Sequence, residues 1–387
     1  MPSINILVES KVSDSIRAKQ VQAAFDVPLK SKTIKEWKGE LPIDNIGWNI
    51  GLIVGPSGCG KSTIAKQLWP ELIDKKFTWE GESVIDDFPQ DKKLEDITRI
   101  CGAVGFNTIP SWLKPFSVLS TGEKFRVEMA RHLIESPDLS VVDEFTSVID
   151  RQVAQIGSYA IQKHVRRKDQ RFVAVTCHSD VVDWLNPDWT FYPETMEFIH
   201  NKGCLRQIKR PQVKCEIKRI AYKEWNKFSQ FHYMNSEMSQ SAKCWGMFID
   251  GTLSTFAGII HRPHNIAKNI KAITRIVTLP DWQGLGLTME FIKHLGSIYR
   301  AAGYRLRGYP AHPALIHAVS KTGVYKLRKK PVIYKTQTNK DEVKKMRAKY
   351  KGFSTEKRPC AVFEYTGPEF EDVELAKALV NEKVSSL

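Results

Sequence analysis

The sequence predicts an α/β protein of two domains followed by a C-terminal extension, and three observations carry that prediction. Short apolar runs of strand length alternate with helix-length segments through residues 1–200, the pattern of parallel strands buried on both faces. In the second half, Asp250-Gly251 joins two strand-like runs, a strong hairpin signal because a type I′ turn needs positive φ at both central residues. Charge divides the chain in the same way. Residues 1–200 hold 24 Lys+Arg against 28 Asp+Glu, whereas residues 201–387 hold 34 against 15.

The first half reads as a buried strand at Ile50–Val54, a helix from Ser62 to Leu68, a helix at Glu123–Ile134, and strands at Leu139–Val142 and Phe172–Thr176. Near 200–212 the chain turns basic, gains a Gly and a Pro, and loses hydrophobic periodicity, which places a domain boundary there. The domains expected are 1–205, 206–350 and an extension over 351–387. The second opens with a helix at Lys223–His232, then the hairpin strands Lys243–Ile249 and Leu253–Ile260. A strand at Ala272–Leu279, a glycine loop, a helix at Leu287–Ala302, a strand at Tyr304–Tyr309 and a helix at Pro313–Lys321 follow.

Composition narrows the function classes. With 42% hydrophobic and 26% charged residues, the chain has globular usage, and no apolar run reaches the 18–20 residues or so of a membrane span. No secretory signal is apparent at the N-terminus. The seven cysteines are scattered without a CxxC pair, which suits a reducing compartment. The expectation is a cytoplasmic protein without a membrane partner. The cationic surplus peaks at 321–350, with 11 basic and 2 acidic residues, and predicts a polyanionic partner, nucleic acid, for the C-terminal half.

Two segments carry chemistry. Ile50–Val54 runs into Gly55-Pro-Ser57-Gly58-Cys-Gly60-Lys61-Ser62-Thr63, which fits G-x-x-x-x-G-K-[ST] between a strand and a helix. In such a loop backbone N–H groups close around phosphate oxygens at a helix N-terminus. Lys61 reaches the β- and γ-phosphates, and Ser62 ligates Mg²⁺. The expected ligands are therefore the phosphates of a nucleotide and Mg²⁺, and the motifs that follow imply that the nucleotide is ATP.

Three further stretches identify the type. Val118-Leu-Ser-Thr-Gly-Glu-Lys-Phe-Arg126 resembles the signature motif of the ABC ATPases. Leu139–Ser147 with Val148-Ile-Asp150 resembles their Walker B and D-loop, and Val173–His178 resembles the strand that ends in their switch histidine. The resemblance covers about residues 1–200. It implies that Asp143 holds Mg²⁺, that Glu144 is the general base, and that His178 contacts the γ-phosphate. It further implies that Ser120 and Gly122 cap a nucleotide held by a second copy, which makes an ATP-dependent homodimer. Two departures stand out. Thr121 and Glu123 replace the family's Gly and Gln, and a Glu123 near phosphate would call for Lys124 or Arg126 as compensation. The Q-loop glutamine has two possible stand-ins, Asn107 and Gln90. The 59 positions from Lys61 to Ser120 are fewer than in the family's import and export ATPases, so the resemblance favours a soluble member.

Residues 272–288, AITRIVTLPDWQGLGLT, resemble motif A of the GNAT acetyltransferases, a strand ending in a Q-x-x-G-x-G/A loop. The resemblance covers about residues 210–335 and implies a central mixed sheet and an acetyl-CoA or other acyl-CoA donor. Its pyrophosphate would lie on Gln283, Gly284, Gly286 and Thr288, and its pantetheine arm along Val277 and Leu279. Val319 occupies the family's approximate tyrosine position, leaving Tyr325 as the candidate general acid, with His317, Ser320 and Tyr309 as alternatives. A fusion of these two types resembles bacteriophage-encoded proteins and, loosely, the Mom DNA-modification family, which would place the protein in the host cytoplasm. The function expected is an ATP-hydrolysing protein coupled to an N-acyltransferase-like domain acting on nucleic acid. The alternatives are an ATP-regulated small-molecule or protein N-acetyltransferase and an ATP switch with an inactive GNAT-like domain.

Overall fold

A computed structural model describes residues 2–11, 13–25, 32–73, 75–201, 207–233, 237–264, 266–332 and 360–382. It is mixed α/β and divides into two compact units: Met1–Phe77 with Arg131–Lys209, and Thr78–Ala130 with Arg210–Leu387. The chain thus passes from one unit to the other at Lys209, but residues 78–130, expected within the first domain, fold with the second. Composition marks the basic linker, whereas nothing in the composition of an insertion records which surface it packs against.

In chain order the elements of the first part are β1 (Ser3–Lys11), α1 (Ile16–Phe25), β2 (Lys32–Glu40), β3 (Ile50–Val54), α2 (Lys61–Leu68) and α3 (Pro70–Ile73). The segment 78–130 holds α4 (Leu94–Ala103), α5 (Ile109–Trp112) and most of α6 (Thr121–Glu135). The first unit resumes with β4 (Leu139–Val142), α7 (Arg151–Lys168), β5 (Arg171–Thr176), α8 (Val181–Leu185), β6 (Trp189–Tyr192) and β7 (Glu197–His200).

Five strands of the first unit form a sheet in the order β4-β5-β3-β6-β7, parallel except for β7 at its edge. All five residues of β3 are buried, which explains its unbroken apolar run. Gly51 is required there, because a Cβ would lie 2.0 Å from the Trp189 ring. Ile53, Val141, Val173, Val175, Trp189 and Phe191 make the core, with Trp37 of β2 among them. One buried carboxylate fixes where β3 begins. Asp188 accepts the Asn49 and Ile50 N–H groups at 2.8 and 2.9 Å and pairs with Arg166 of α7 at 3.0 Å. Such a pair costs desolvation but, once buried, tolerates the loss of neither partner.

The second unit continues with β8 (Cys215–Arg219), β9 (Lys243–Ile249), β10 (Thr252–His261), β11 (Ile270–Thr278), α9 (Leu287–Ala301), β12 (Arg305–Gly308), α10 (Pro313–Ser320), β13 (Tyr325–Val332) and β14 (Cys360–Tyr365). A helix at Val373–Asn381 closes the described chain. The seven strands take the order β13-β14-β12-β11-β10-β9-β8. Only the β11–β12 pair is parallel, and α9 makes the crossover that a parallel pair requires. Asp250 and Gly251 have φ of +47° and +80°, so the hairpin turn has the positive φ values anticipated.

Two expectations are corrected here. The helix expected at Lys223–His232 is a pair of 3₁₀ turns, Tyr222–Lys227 and Ser229–Phe231, which turn Trp225 and Phe228 into a core with Phe256 and Val277. The extension begun at 351 is no appendage, since β14 lies inside the sheet between β13 and β12. Gly296 of α9 leaves room for the Tyr365 ring of β14, which a Cβ would meet at 2.3 Å. Most of the basic cluster at 321–350 lies outside the described residues. No helix among the described residues is long and apolar enough to cross a membrane.

Candidate functional site

Parallel pairing assembles the first site. Because β5 lies between β4 and β3 and all three run the same way, the residues that follow them emerge at one edge of the sheet. Those residues are Asp143-Glu144 after β4, Cys177-His178 after β5 and Gly55–Gly60 after β3. Such an edge, at the carboxyl ends of parallel strands, is where ligands bind in open α/β sheets.

The Gly55–Gly60 turn is held from below. Gly60 takes φ +99° and precedes Lys61, the first residue of α2. A Cβ on Gly60 would lie 2.4 Å from the Trp37 ring, and Trp37 Nε1 donates to the Cys59 carbonyl at 2.9 Å. Lys35, also on β2, donates to the Gly58 carbonyl at 3.0 Å. Gly58 has φ +78° and open space where a Cβ would sit. Lys61 is buried and folds back to donate to the Pro56 carbonyl at 2.8 Å. Ser62 is partly buried and Thr63 exposed. The cradle fits a phosphate chain, with glycines where side chains would intrude and an ammonium at its floor. The sequence reading missed Trp37 and Lys35, because Ile34 and Trp37 fall on opposite faces of β2 and leave no apolar alternation in KTIKEWKGE to mark the buried side.

Beyond β4 the backbone is strained. Glu144 and Thr146 have φ of +50° and +67°, an uncommon state for residues with a Cβ and one that concentrates at functional sites. The strain leaves Glu144 exposed, with its N–H donating to Asp143 Oδ1 at 2.9 Å. Asp150 caps α7 by accepting the Val153 N–H at 2.9 Å, and Arg151 pairs with Asp180, two residues beyond His178. The His178 N–H donates to Thr176 Oγ1 at 3.2 Å.

Ser120 and Glu123 lie in the second unit, at the head of α6, and form a capping box. Glu123 Oε2 accepts the Ser120 N–H at 3.1 Å while Ser120 Oγ accepts the Glu123 N–H at 3.3 Å. Glu123 Oε1 also accepts from Ser111 Oγ at 2.6 Å, so this buried carboxylate serves the helix end. Lys124 lies over the Phe116 ring, and Arg126 donates to the Pro280 and Asp281 carbonyls.

The second glycine loop also lies in this unit. Gly284 and Gly286 take φ of +113° and +77°, and Gly286 is the N-cap of α9, with open space where a Cβ would sit. Thr288 Oγ1 is 2.8 Å from Thr278 Oγ1. Val277 is paired with Phe256 of β10, and the Leu279 N–H donates to the Ser254 carbonyl at 2.9 Å. On its other side β11 pairs with β12 only over Ile270–Ile273. Gln283 differs from the expectation, because its side chain is fully engaged within the protein. Its Oε1 accepts the Asn107 N–H at 2.8 Å, and its Nε2 donates to Thr108 Oγ1 at 3.0 Å and to the Thr278 carbonyl at 2.9 Å.

Tyr325 is a second correction. It is buried, its hydroxyl donates to the Ile292 carbonyl of α9 at 2.7 Å, and burial followed by neighbouring Tyr365 pushes its pKa well up. A group so placed holds α9 on the sheet rather than meeting a substrate. His317 and Ser320 are exposed on α10, and Tyr309 lies under the Arg262 guanidinium at 4.3 Å. Among the described residues the structure therefore gathers no acid–base set at the second loop. Where the strands β12, β13 and β14 meet, Arg305, Arg307 and Arg328 all donate to the buried Glu364. Burial pushes the Glu364 pKa upward, but the three guanidinium hydrogen bonds outweigh it and lower the value.

No family model matches the chain. Among curated proteins, parts of it are similar to ATP-binding subunits of ABC transporters. It is 26% identical over 197 residues to the energy-coupling factor transporter ATP-binding protein EcfA1 of Listeria innocua, covering 40% of this chain and 68% of that one. It is 29% identical over 150 residues to the zinc import ATP-binding protein ZnuC of Vibrio cholerae, covering 34% and 57%. An uncharacterized ABC transporter ATP-binding protein of Synechocystis is 31% identical over 133 residues, 26% of this chain and only 19% of that protein's length. Among solved structures, the ribosomal-protein-S18-alanine N-acetyltransferase of Escherichia coli is 14% identical, with a TM-score of 0.29 over 41% of this chain and 97% of that one. A bacterial Atm1-family ABC exporter with ATP bound is 18% identical, with a TM-score of 0.31 over 43% and 34%. Between about a quarter and two-fifths of the chain is thus similar in sequence to ATP-binding proteins of ABC transporters.

Proposed function

We propose that the chain is a two-site enzyme, an ATP hydrolase of the ABC class joined to an acyl-CoA-dependent N-acyltransferase whose acceptor is polyanionic. The observation that carries the first part is the convergence of Gly55–Gly60, Asp143-Glu144 and His178 at one sheet edge. Bound there with Mg²⁺, ATP would supply a phosphoanhydride for hydrolysis. Gly55, Ser57, Gly58, Gly60, Lys61 and Thr63 would cradle its phosphates, and Ser62 and Asp143 would hold the metal ion. Glu144 takes the proton of the attacking water, and His178 orients the γ-phosphate. Ser120 and Gly122, at the capped head of α6, would engage a nucleotide held by a second copy. For the second part, Gly284, Gly286 and Thr288 would receive a pyrophosphate at the start of α9, with Val277 and Leu279 along the pantetheine arm. The 34 basic against 15 acidic residues after 200 favour a nucleic-acid acceptor.

The test is Glu144→Gln. Phosphate release should fall by roughly 100-fold or more, because a general base is worth about 10²–10⁴, while ATP stays bound and the mass in solution doubles with Mg²⁺-ATP. Unchanged turnover and an unchanged mass with ATP would refute the assignment. Nucleoside mass spectrometry of DNA and RNA from expressing cells, beside a Gly286→Asp control, tests the acceptor. No new mass on either polymer would point instead to a small-molecule or protein acceptor.

A further inference from the structure

The loop proposed to take the donor is gripped by the same segment that carries the signature motif, and both belong to the second unit. Two arms make the grip. The first is the turn at 105–108. There the Asn107 N–H and Thr108 Oγ1 take the two ends of the Gln283 amide, and Gly105, at φ +86°, leaves no room for a Cβ, which would lie 2.6 Å from the Gln283 carbonyl oxygen. The second arm is Arg126 of α6, 1% exposed, whose guanidinium donates to the Pro280 and Asp281 carbonyls. Residues 280–283, which lead directly into Gly284 and Gly286, are therefore positioned by α6 and by the turn before it. A primary amide offers two N–H donors and one oxygen, and on Gln283 each has a protein partner.

We infer that Gln283 is a latch between the two sites, and that nucleotide engagement at the head of α6 tightens the Gly284–Gly286 loop for acyl-CoA. This rests on the function proposed above. The capping box takes the Ser120 and Glu123 N–H groups; an anion drawn to Ser120–Gly122 would add the Thr121 and Gly122 N–H groups and so order the first turn of α6 further. Through Arg126 and Gln283 that order passes to the residues framing the second loop. A loop already ordered loses less conformational freedom when a ligand binds, which is positive coupling. Coupling between equilibria is reciprocal, so acyl-CoA must tighten ATP by the same factor.

The experiment uses full-length protein carrying Glu144→Gln to keep ATP intact. Acetyl-CoA is titrated calorimetrically with and without Mg²⁺-ATP, and ATP with and without acetyl-CoA. Expected is a tightening of about fivefold or more, equal in the two directions. Thr108→Val removes one partner of the Gln283 amide at nearly constant volume, and Gln283→Ala removes the latch. Each should leave acetyl-CoA binding without nucleotide in place and bring the coupling below about twofold. Amide exchange at Asn107, whose N–H is held by Gln283, should slow with Mg²⁺-ATP and lose that response in Gln283→Ala. Acetyl-CoA binding that ignores ATP would overturn the latch, as would coupling that survives both variants. Loss of acetyl-CoA binding in Gln283→Ala alone, without nucleotide, would make Gln283 a donor ligand instead. If the parent binds ATP but no CoA species at millimolar concentration, the transferase reading falls. The Asn107 exchange response then decides separately whether the two segments are coupled.

Discussion

The chain twice places a glycine turn at the head of a helix, and the two turns are held in opposite ways. The turn before Lys61 is supported by its own unit's β2, with the Trp37 ring packed under Gly60 and hydrogen-bonded to Cys59. The turn at 284–286 has open space at Gly286 and takes its support from a segment remote in sequence, through Gln283 and Arg126. A turn locked by packing is a fixed receptor. A turn positioned by hydrogen bonds from elsewhere can change with the state of what holds it.

The sharpest way to break this contrast is to add one methyl group to each turn. Gly60→Ala places a Cβ 2.4 Å from Trp37 at a residue with φ +99°, so left-handed strain and overpacking add to a cost of about 2–5 kcal/mol. Expected are at least a tenfold loss of ATP affinity by calorimetry and a clear drop in melting temperature. Gly286→Ala meets open space, so only the backbone term of about 1–2 kcal/mol applies. Equal losses in the two variants would remove the distinction.

Charge at the second turn gives the next largest effect. Gly286→Asp sets a carboxylate at the N-terminus of α9, where the pyrophosphate of the donor would lie. The helix dipole that favours an anion there cannot offset a second like charge at contact. Acetyl-CoA affinity should fall by well over tenfold, with phosphate release from ATP unchanged. Retention of acetyl-CoA binding in this variant would move the donor elsewhere.

Acid should separate the two units. In the first, burial lowers His132 to about 4, with Lys75 and Arg131 adding to it. His164 also falls to about 4, chiefly through burial and despite a side-chain hydrogen bond with Gln170 that acts the other way. The folded unit resists protons that the unfolded chain accepts below 6.5, so its stability declines as pH falls from 6.5 toward 4 and is level above. At about pH 5 this amounts to roughly 1–2 kcal/mol for each histidine. In the second unit burial lowers His294 and His312 as well, though less far, and Glu364 is lowered from 4.5. The histidine loss there is therefore smaller, and the Glu364 contribution fades only as pH drops below 4.5. Amide exchange followed from pH 7 to 5 should show protection falling in β3 and β5 before β12 and β14; the reverse order would contradict these shifts.

The sequence showed the first site more fully than the second for a reason that lies in topology. Ile50–Val54, Leu139–Val142 and Phe172–Thr176 were legible as strands because burial on both faces leaves uninterrupted apolar runs, and each was followed by its chemical residue. Parallel pairing then does the rest. The signature motif was equally legible, and Ser120-x-x-Glu123 has the spacing of a capping box; only the further bond from Ser111, twelve positions before Glu123, was hidden. The second site failed the same reasoning at Gln283 and Tyr325. Their partners, Asn107 and Ile292, stand 176 and 33 positions away, and a loop motif carries no record of them. Trp37 was missed because a single aromatic on a charged edge strand gives little sign of what it packs under.

The smallest expected effect concerns Tyr325, where the contrast between the two sites can be made sharper. Glu144 sits exposed at the strand ends, whereas Tyr325 is buried with its hydroxyl on a helix carbonyl and its ring edge-on to Tyr365 at 5.2 Å. Tyr325→Phe keeps the ring contact and removes one hydrogen bond to a carbonyl that belongs to α9. A single buried bond of this kind contributes about 1 kcal/mol, so the variant should melt a few degrees lower. Acetyl-CoA binding should be unaltered, because the lost hydroxyl points into the packing between α9 and the sheet. Acyl transfer, once an acceptor is in hand, should keep its rate and its dependence on pH. A fall of a hundredfold in that rate, with the alkaline limb of the pH profile displaced, would instead make Tyr325 the general acid. The hydroxyl would then have to leave the Ile292 carbonyl during turnover, which amide exchange along α9 would register.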